Sequence, residues 1–132
     1  MGIDYGNARI GIAFSDWLNI IANAYEVYHR VDLDTDMQHF EDLIKQNSVD
    51  HIVIGLPLNM AGEEQEIAQQ TREFAGLLKD KFNLPITFID ERLTSSEAED
   101  ILKRAGYDWR ARKQMLDAVS AQIILQEYLD RK

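Results

Sequence analysis

MGIDYGNARIGIAFS, residues 1–15, decides how this chain is read. Ile3 leads into Asp4, Gly6 and Asn7 carry turn chemistry, and Arg9 to Phe14 places Ile10, Ile12 and Phe14 at every second position. Apolar residues at period two put one face of a strand into a core, so the stretch predicts a strand, a tight turn and a second strand. Asp4 then stands where the first strand ends. Gly6, lacking a Cβ, leaves room for a metal, a phosphate or backbone to approach. Alone, Asp-x-Gly is also an ordinary hairpin turn, and the rest of the chain has to decide between the two.

Working outward, Ile20 to Tyr28 suits a third strand after a turn at Asp16 to Asn19. Thr35 with Gln38 reads as a capping box ahead of Met37, Phe40, Leu43 and Ile44, a helix ending near Asn47. Ile52 to Leu56 is a continuous apolar run closed by Pro57, as expected of a strand buried on both faces. The loop GLPLNMAGEEQ (55–65) follows, and Glu63, Glu64 and Glu66 give the next helix an acidic first turn. That helix buries Ile67, Thr71, Phe74, Leu78 and Phe82 and should run to about Lys81. Pro85 to Ile89 forms a short strand ending in Asp90-Glu91-Arg92. Thr94 and Glu97 then open a helix that Gly106 stops. A final helix carries Leu116, Val119, Ile123 and Tyr128, with Asp117 among the small residues Ala118, Ser120 and Ala121.

The order β-β-β-α-β-α-β-α-α predicts an α/β domain spanning residues 1–132. Its mixed five-stranded sheet has the first three strands antiparallel, the fourth and fifth parallel to the first, and helices on both faces. Asp4, the Gly55 loop and Asp90-Glu91 then share the carboxyl edge of the sheet, where open α/β sheets bind ligands. A last helix crossing that edge would add Asp117. Clustered carboxylates repel unless a cation sits among them, and hard oxygen ligands select Mg²⁺ or Mn²⁺. One or two such ions could activate water for phosphodiester hydrolysis.

Composition bounds the alternatives. The chain is 45% hydrophobic and 28% charged, with no apolar run near the roughly eighteen residues of a membrane span, so no membrane partner is expected. No secretory signal pattern opens it, and the absence of cysteine removes disulfide and thiolate chemistry; the cytoplasm is the expected location. A formal net charge of −9 excludes a wholly basic nucleic-acid binder. Yet Lys103, Arg104, Arg110, Arg112 and Lys113 face only Asp108 within 103–116, a local cationic stretch that suits phosphates or a solvated helix face.

Four segments, GIDYGNARIGIAFSD (2–16), GLPLNMAGEE (55–64), DERLTS (90–95) and DAVSA (117–121), together resemble the YqgF/RuvX family over essentially the whole chain. The resemblance implies an RNase H-like fold and a metal-dependent nuclease, known as a Holliday-junction resolvase and linked to maturation of the 5′ end of pre-16S rRNA. It places metal-binding, catalytic acids at Asp4, at Asp90 or Glu91, and at Asp117. Arg9, Arg92, Arg110, Arg112 and Lys113 become candidates for holding the nucleic-acid backbone, and Asn59 for orienting the strand. RNA, as pre-16S rRNA or within ribosomal precursor particles, is the favoured partner. A monomer would serve RNA, whereas a four-way DNA junction would call for a homodimer. The competing reading outside enzymes is a catalytically silent RNA-binding or assembly module. Two positions depart from the family pattern: Ala61, where an acid is usual, and Ser120, where the last block usually has alanine.

Overall fold

The computed structural model describes residues 1–91 and 94–131. Strands β1 (Gly2–Asp4), β2 (Arg9–Ser15), β3 (Ala22–His29), β4 (Ile52–Leu56) and β5 (Ile86–Asp90) form one sheet in the order β3-β2-β1-β4-β5. β1 and β2 are antiparallel, as are β2 and β3; β4 runs parallel to β1, and β5 to β4. With helices α1 (Leu33–Gln46), α2 (Glu66–Phe82), α3 (Thr94–Arg104) and α4 (Trp109–Asp130), this is the mixed α/β, RNase H-like architecture expected from the sequence.

Strand alternation sorts the two faces. Ile3, Ile10, Ile12, Ile52 and Ile54 point to one side and pack with Phe40 and Leu43 of α1 and Phe74 and Leu78 of α2. Each fully buried Ile or Phe there contributes about 1.5–3 kcal/mol. Ala13, Val53 and Ile89 point to the other side, against Ala121, Ile124 and Leu125 of α4. Ala98 and Leu102 of α3 pack on Val119 of α4.

The second face is lined by small residues because α4 presses on it. A Cβ on Gly11 would lie 1.9 Å from the Asp117 carbonyl oxygen, and one on Gly2 would lie 2.8 Å from that of Ala121. Glycine there lets the helix backbone rest directly on β1 and β2.

Three boundaries differ from the sequence reading. The cap of α1 is Asp32, whose carboxylate accepts from the Thr35 amide at 2.7 Å, so Thr35 lies inside the helix. α2 starts at Glu66 because Leu58 and Glu64 form an isolated antiparallel bridge that keeps Glu63 and Glu64 in the loop. β3 starts at Ala22 because the Ile20 and Ile21 amides turn back to the Asp16 carboxylate.

Candidate active site

Asp4 ends β1, Glu91 follows β5, and Asp117 lies in α4. Alternation from Ile89 sends Glu91 to the α4 side of the sheet, and alternation from Gly2 sends Asp4 the same way. β4 lies between their strands. The Glu91 side chain crosses β4 at Gly55, where a Cβ would sit 2.7 Å from its Oε2, and its carboxyl shares a hydrogen bond with that of Asp4. Burial, then the Asp117 charge, raises the Asp4 carboxyl to about 7. Burial, then the Asp4 charge and hydrogen bond, raises Glu91 to about 9. Two buried acids thus share a proton with a third acid beside them, the arrangement that repulsion and desolvation favour when no cation is bound.

Asp117 is itself paired, accepting from Arg9 Nε at 2.9 Å. Between these groups lies a cavity of about 120 Å³ walled by Asp4, the Tyr5–Arg9 turn and Asp117. Hollows of about 200 and 320 Å³ near Met1, Ser15 and Asp50 lie at the opposite end of the sheet, away from the three acids.

Asp90 is exposed and turns away from Glu91, touching the cluster through its charge, which adds to the rise of Glu91. The Asn59 side chain is engaged in its own loop: Oδ1 accepts from the Ala61 and Glu63 amides, and Nδ2 donates to Glu63. Arg110 and Lys113 are exposed in the first turns of α4, with the Arg110 guanidinium 5.9 Å from the Trp109 ring. Arg112 braces α3 to α4, donating to Glu99 at 2.7 Å and to the Tyr107 carbonyl at 2.8 Å. Arg92 lies outside the described residues.

The sequence reading missed a network that holds the Asp4 turn. Asp36, fully buried in α1, accepts from Arg30 Nε at 2.9 Å, Tyr28 Oη at 2.8 Å and the Val31 amide at 3.0 Å. Burial opposes its charge, yet these donors hold its carboxyl below the usual range. Arg30 in turn donates to Tyr5 Oη, and the Ala8 carbonyl accepts from the Arg30 amide, both at 2.9 Å. Its signal was Asp36 standing four residues before Phe40, on the apolar stripe of the helix.

The sequence profile of the RuvX family, described as a Holliday junction resolvase, matches residues 1–131. The chain belongs to the RuvX family. Among RuvX relatives, a protein of Syntrophomonas wolfei is 42% identical over 130 residues, covering 98% of this chain and 92% of its own. One of Maridesulfovibrio salexigens is 43% identical over 131 residues, covering 99% and 97%. One of Halothermothrix orenii is 40% identical over 130 residues, covering 98% and 93%. All three carry the name "Putative pre-16S rRNA nuclease".

In this RuvX chain, no three His, Asp or Glu side chains among the described residues are already gathered about one point to hold an ion. The donor chemistry nevertheless fits one. Asp4, Glu91 and Asp117 offer hard carboxylate oxygens on one side of the sheet, and their repulsion is relieved by a shared proton and by Arg9. A divalent cation would replace both. No helix of the described residues is long and apolar enough to cross a membrane.

Proposed function

We propose that this chain is a metal-dependent nuclease that hydrolyses phosphodiester bonds of RNA and trims the 5′ end of pre-16S rRNA in the cytoplasm, on ribosomal precursor particles. One observation carries the reading: Glu91 reaches over Gly55 to bond Asp4, with the charge of Asp117 beside them. Buried acids with raised pKa values at a strand edge mark a site built for a cation or for proton transfer. Asp4, Glu91 and Asp117 would hold one or two Mg²⁺ or Mn²⁺ ions, which supply activation of water and stabilisation of the leaving oxygen.

The remaining chemistry belongs to the chain's own residues. Arg9, released from Asp117 when a cation takes over, is placed to bond a phosphate oxygen at the mouth of the cavity. The backbone of Gly6 to Ala8 lines the same cavity and limits how the phosphate sits. Arg110 and Lys113 neutralise neighbouring phosphates, while Arg112 keeps α4 in register with α3. The names of the relatives support the RNA substrate.

The family's own description favours a second reading, resolution of four-way DNA junctions. A labelled RNA carrying the pre-16S 5′ leader, incubated with Mn²⁺ beside a DNA junction, separates the two. RNA cleavage that disappears in Asp4→Asn supports the nuclease proposed here. Cleavage of the junction alone by a dimer establishes the resolvase, and binding without cleavage of either establishes an RNA-binding assembly module.

A further inference from the structure

A second cavity, of about 250 Å³, opens on the α1–α2 side of the sheet and shares Tyr5 and Asn7 with the cavity around Asp4. Its floor is aromatic: the Tyr5 and Phe74 ring centroids lie 4.9 Å apart. The Arg30 guanidinium lies 5.3 Å from the first ring and 5.6 Å from the second. That guanidinium is fixed in advance by Asp36 and by Tyr5 Oη. At the rim stand Leu33 and Leu77, 45% and 43% exposed, and the amides of Asn7 and Gln70 complete the wall.

Phe74 is buried at 3% exposure and backs the Tyr5 ring and the Arg30 guanidinium, whose planes flanked by amides suit a flat heterocycle with donors and acceptors on its edge. Glu73, also in the wall, disfavours a second phosphate and can accept from an exocyclic amine. Tyr5 and Asn7 wall both cavities, so the turn that carries them separates this one from the place a phosphate would occupy by the thickness of a single loop. We infer that it is a nucleobase subsite, which takes the base of the nucleotide flanking the scissile phosphate of single-stranded RNA. A base held in a duplex could enter only by leaving its stack, so the subsite selects unpaired strands. This inference rests on the nuclease reading for the position of the phosphate. The cavity and its lining stand without it.

The test uses the whole protein with RNA oligonucleotides carrying one 2-aminopurine, moved position by position, and a parallel set carrying one abasic nucleotide. At saturating protein, fluorescence should be quenched by stacking at one position next to the cut bond. Making that nucleotide abasic should lower kcat/KM by about tenfold, the scale of one lost base stack. Leu77→Asn and Gln70→Ala, both on the outer wall, should weaken the quenching and slow cleavage of intact RNA. On RNA abasic at that position, both variants should match the wild type. RNA that is cut with no position-dependent quenching and no abasic penalty overturns the subsite and leaves the nuclease standing. Quenching at one position that depends on Leu77, in a protein that cuts no RNA, overturns the nuclease and keeps the subsite.

Discussion

Arg9 and Asp117, 108 residues apart, meet Nε to Oδ2 at 2.9 Å where β2 passes under α4. With 48% of the Arg9 side chain and 22% of Asp117 exposed, the pair is worth at most about 1 kcal/mol to the fold. Its consequence is electrostatic: Arg9 sets a positive charge beside Asp117, where on the proposed reading a metal ion would compete with it. Arg9→Ala should therefore leave the thermal midpoint nearly unchanged while tightening Mn²⁺ binding several-fold in calorimetric titration, because the ion no longer competes with a guanidinium. The same variant should bind RNA less tightly, with a salt slope reduced by about 0.7, as for one lost phosphate contact. Weaker Mn²⁺ binding would show that Arg9 organises Asp117 for the ion instead of blocking it.

The shared proton between Asp4 and Glu91 fixes the sign of a pH dependence. Both carboxyls are raised in the folded chain, from 3.8 to about 7 for Asp4 and from 4.5 to about 9 for Glu91. At these two carboxyls the folded state binds more protons than the unfolded one between about pH 4 and pH 9, so their contribution to stability falls as pH rises, offset in part between about pH 6 and 8 by the buried Met1 amine, whose pKa is lowered to about 6. Urea unfolding of metal-free protein should give a higher midpoint at pH 5 than at pH 9. Glu91→Gln keeps a donor for Asp4 and removes the need to protonate, on folding, a carboxyl that is ionised in the unfolded chain at pH 8, so it should stabilise the metal-free protein there by about 1–3 kcal/mol and flatten the profile. A wild-type profile already flat across this window would show that the two acids do not share a proton.

Gly55 and Gly76 make a matched pair of glycine tests. A Cβ on Gly55 would lie 2.4 Å from Ile124 Cδ1 and 2.7 Å from Glu91 Oε2, whereas one on Gly76 in α2 would meet nothing within 4 Å. Gly55→Ala should cost about 1–3 kcal/mol through overpacking and, by pushing Glu91 off Asp4, weaken Mn²⁺ binding. Gly76→Ala should stabilise by about 0.5–1 kcal/mol through helix entropy and leave metal binding alone. Equal effects from the two would remove Gly55 from the site.

Periodicity made the fold legible. The alternation through Ile10, Ile12 and Phe14 and the solid apolar run Ile52–Leu56 mark an antiparallel and a parallel strand, although β2 is buried on both faces because Gly11 and Ala13 lie under α4. Asp4 and the Asp90-Glu91 pair were legible at strand ends, but which of the pair turns to the α4 side could not be read until Ile89 was known to face α4. The reasons for Gly11 and Gly55 lie in side chains and backbone far along the sequence, which no local pattern reports. Cations illustrate the same limit. Arg110, Arg112 and Lys113 look alike in sequence, yet Arg112 is bound to Glu99 and Tyr107 because α3 happens to end beside it.

Ser120 gives a stability prediction that leaves the acids untouched. Its residue is 1% exposed, and its Oγ is the one buried side-chain polar atom without a hydrogen-bond partner among the described residues. An unsatisfied buried hydroxyl carries a desolvation cost of about 1–3 kcal/mol, and alanine removes the hydroxyl at the cost of little packing volume. Ser120→Ala should therefore raise stability by about 1 kcal/mol, seen as a thermal midpoint a few degrees higher, with RNA cleavage unchanged. A drop in cleavage at an unchanged midpoint would assign the hydroxyl a part in the reaction.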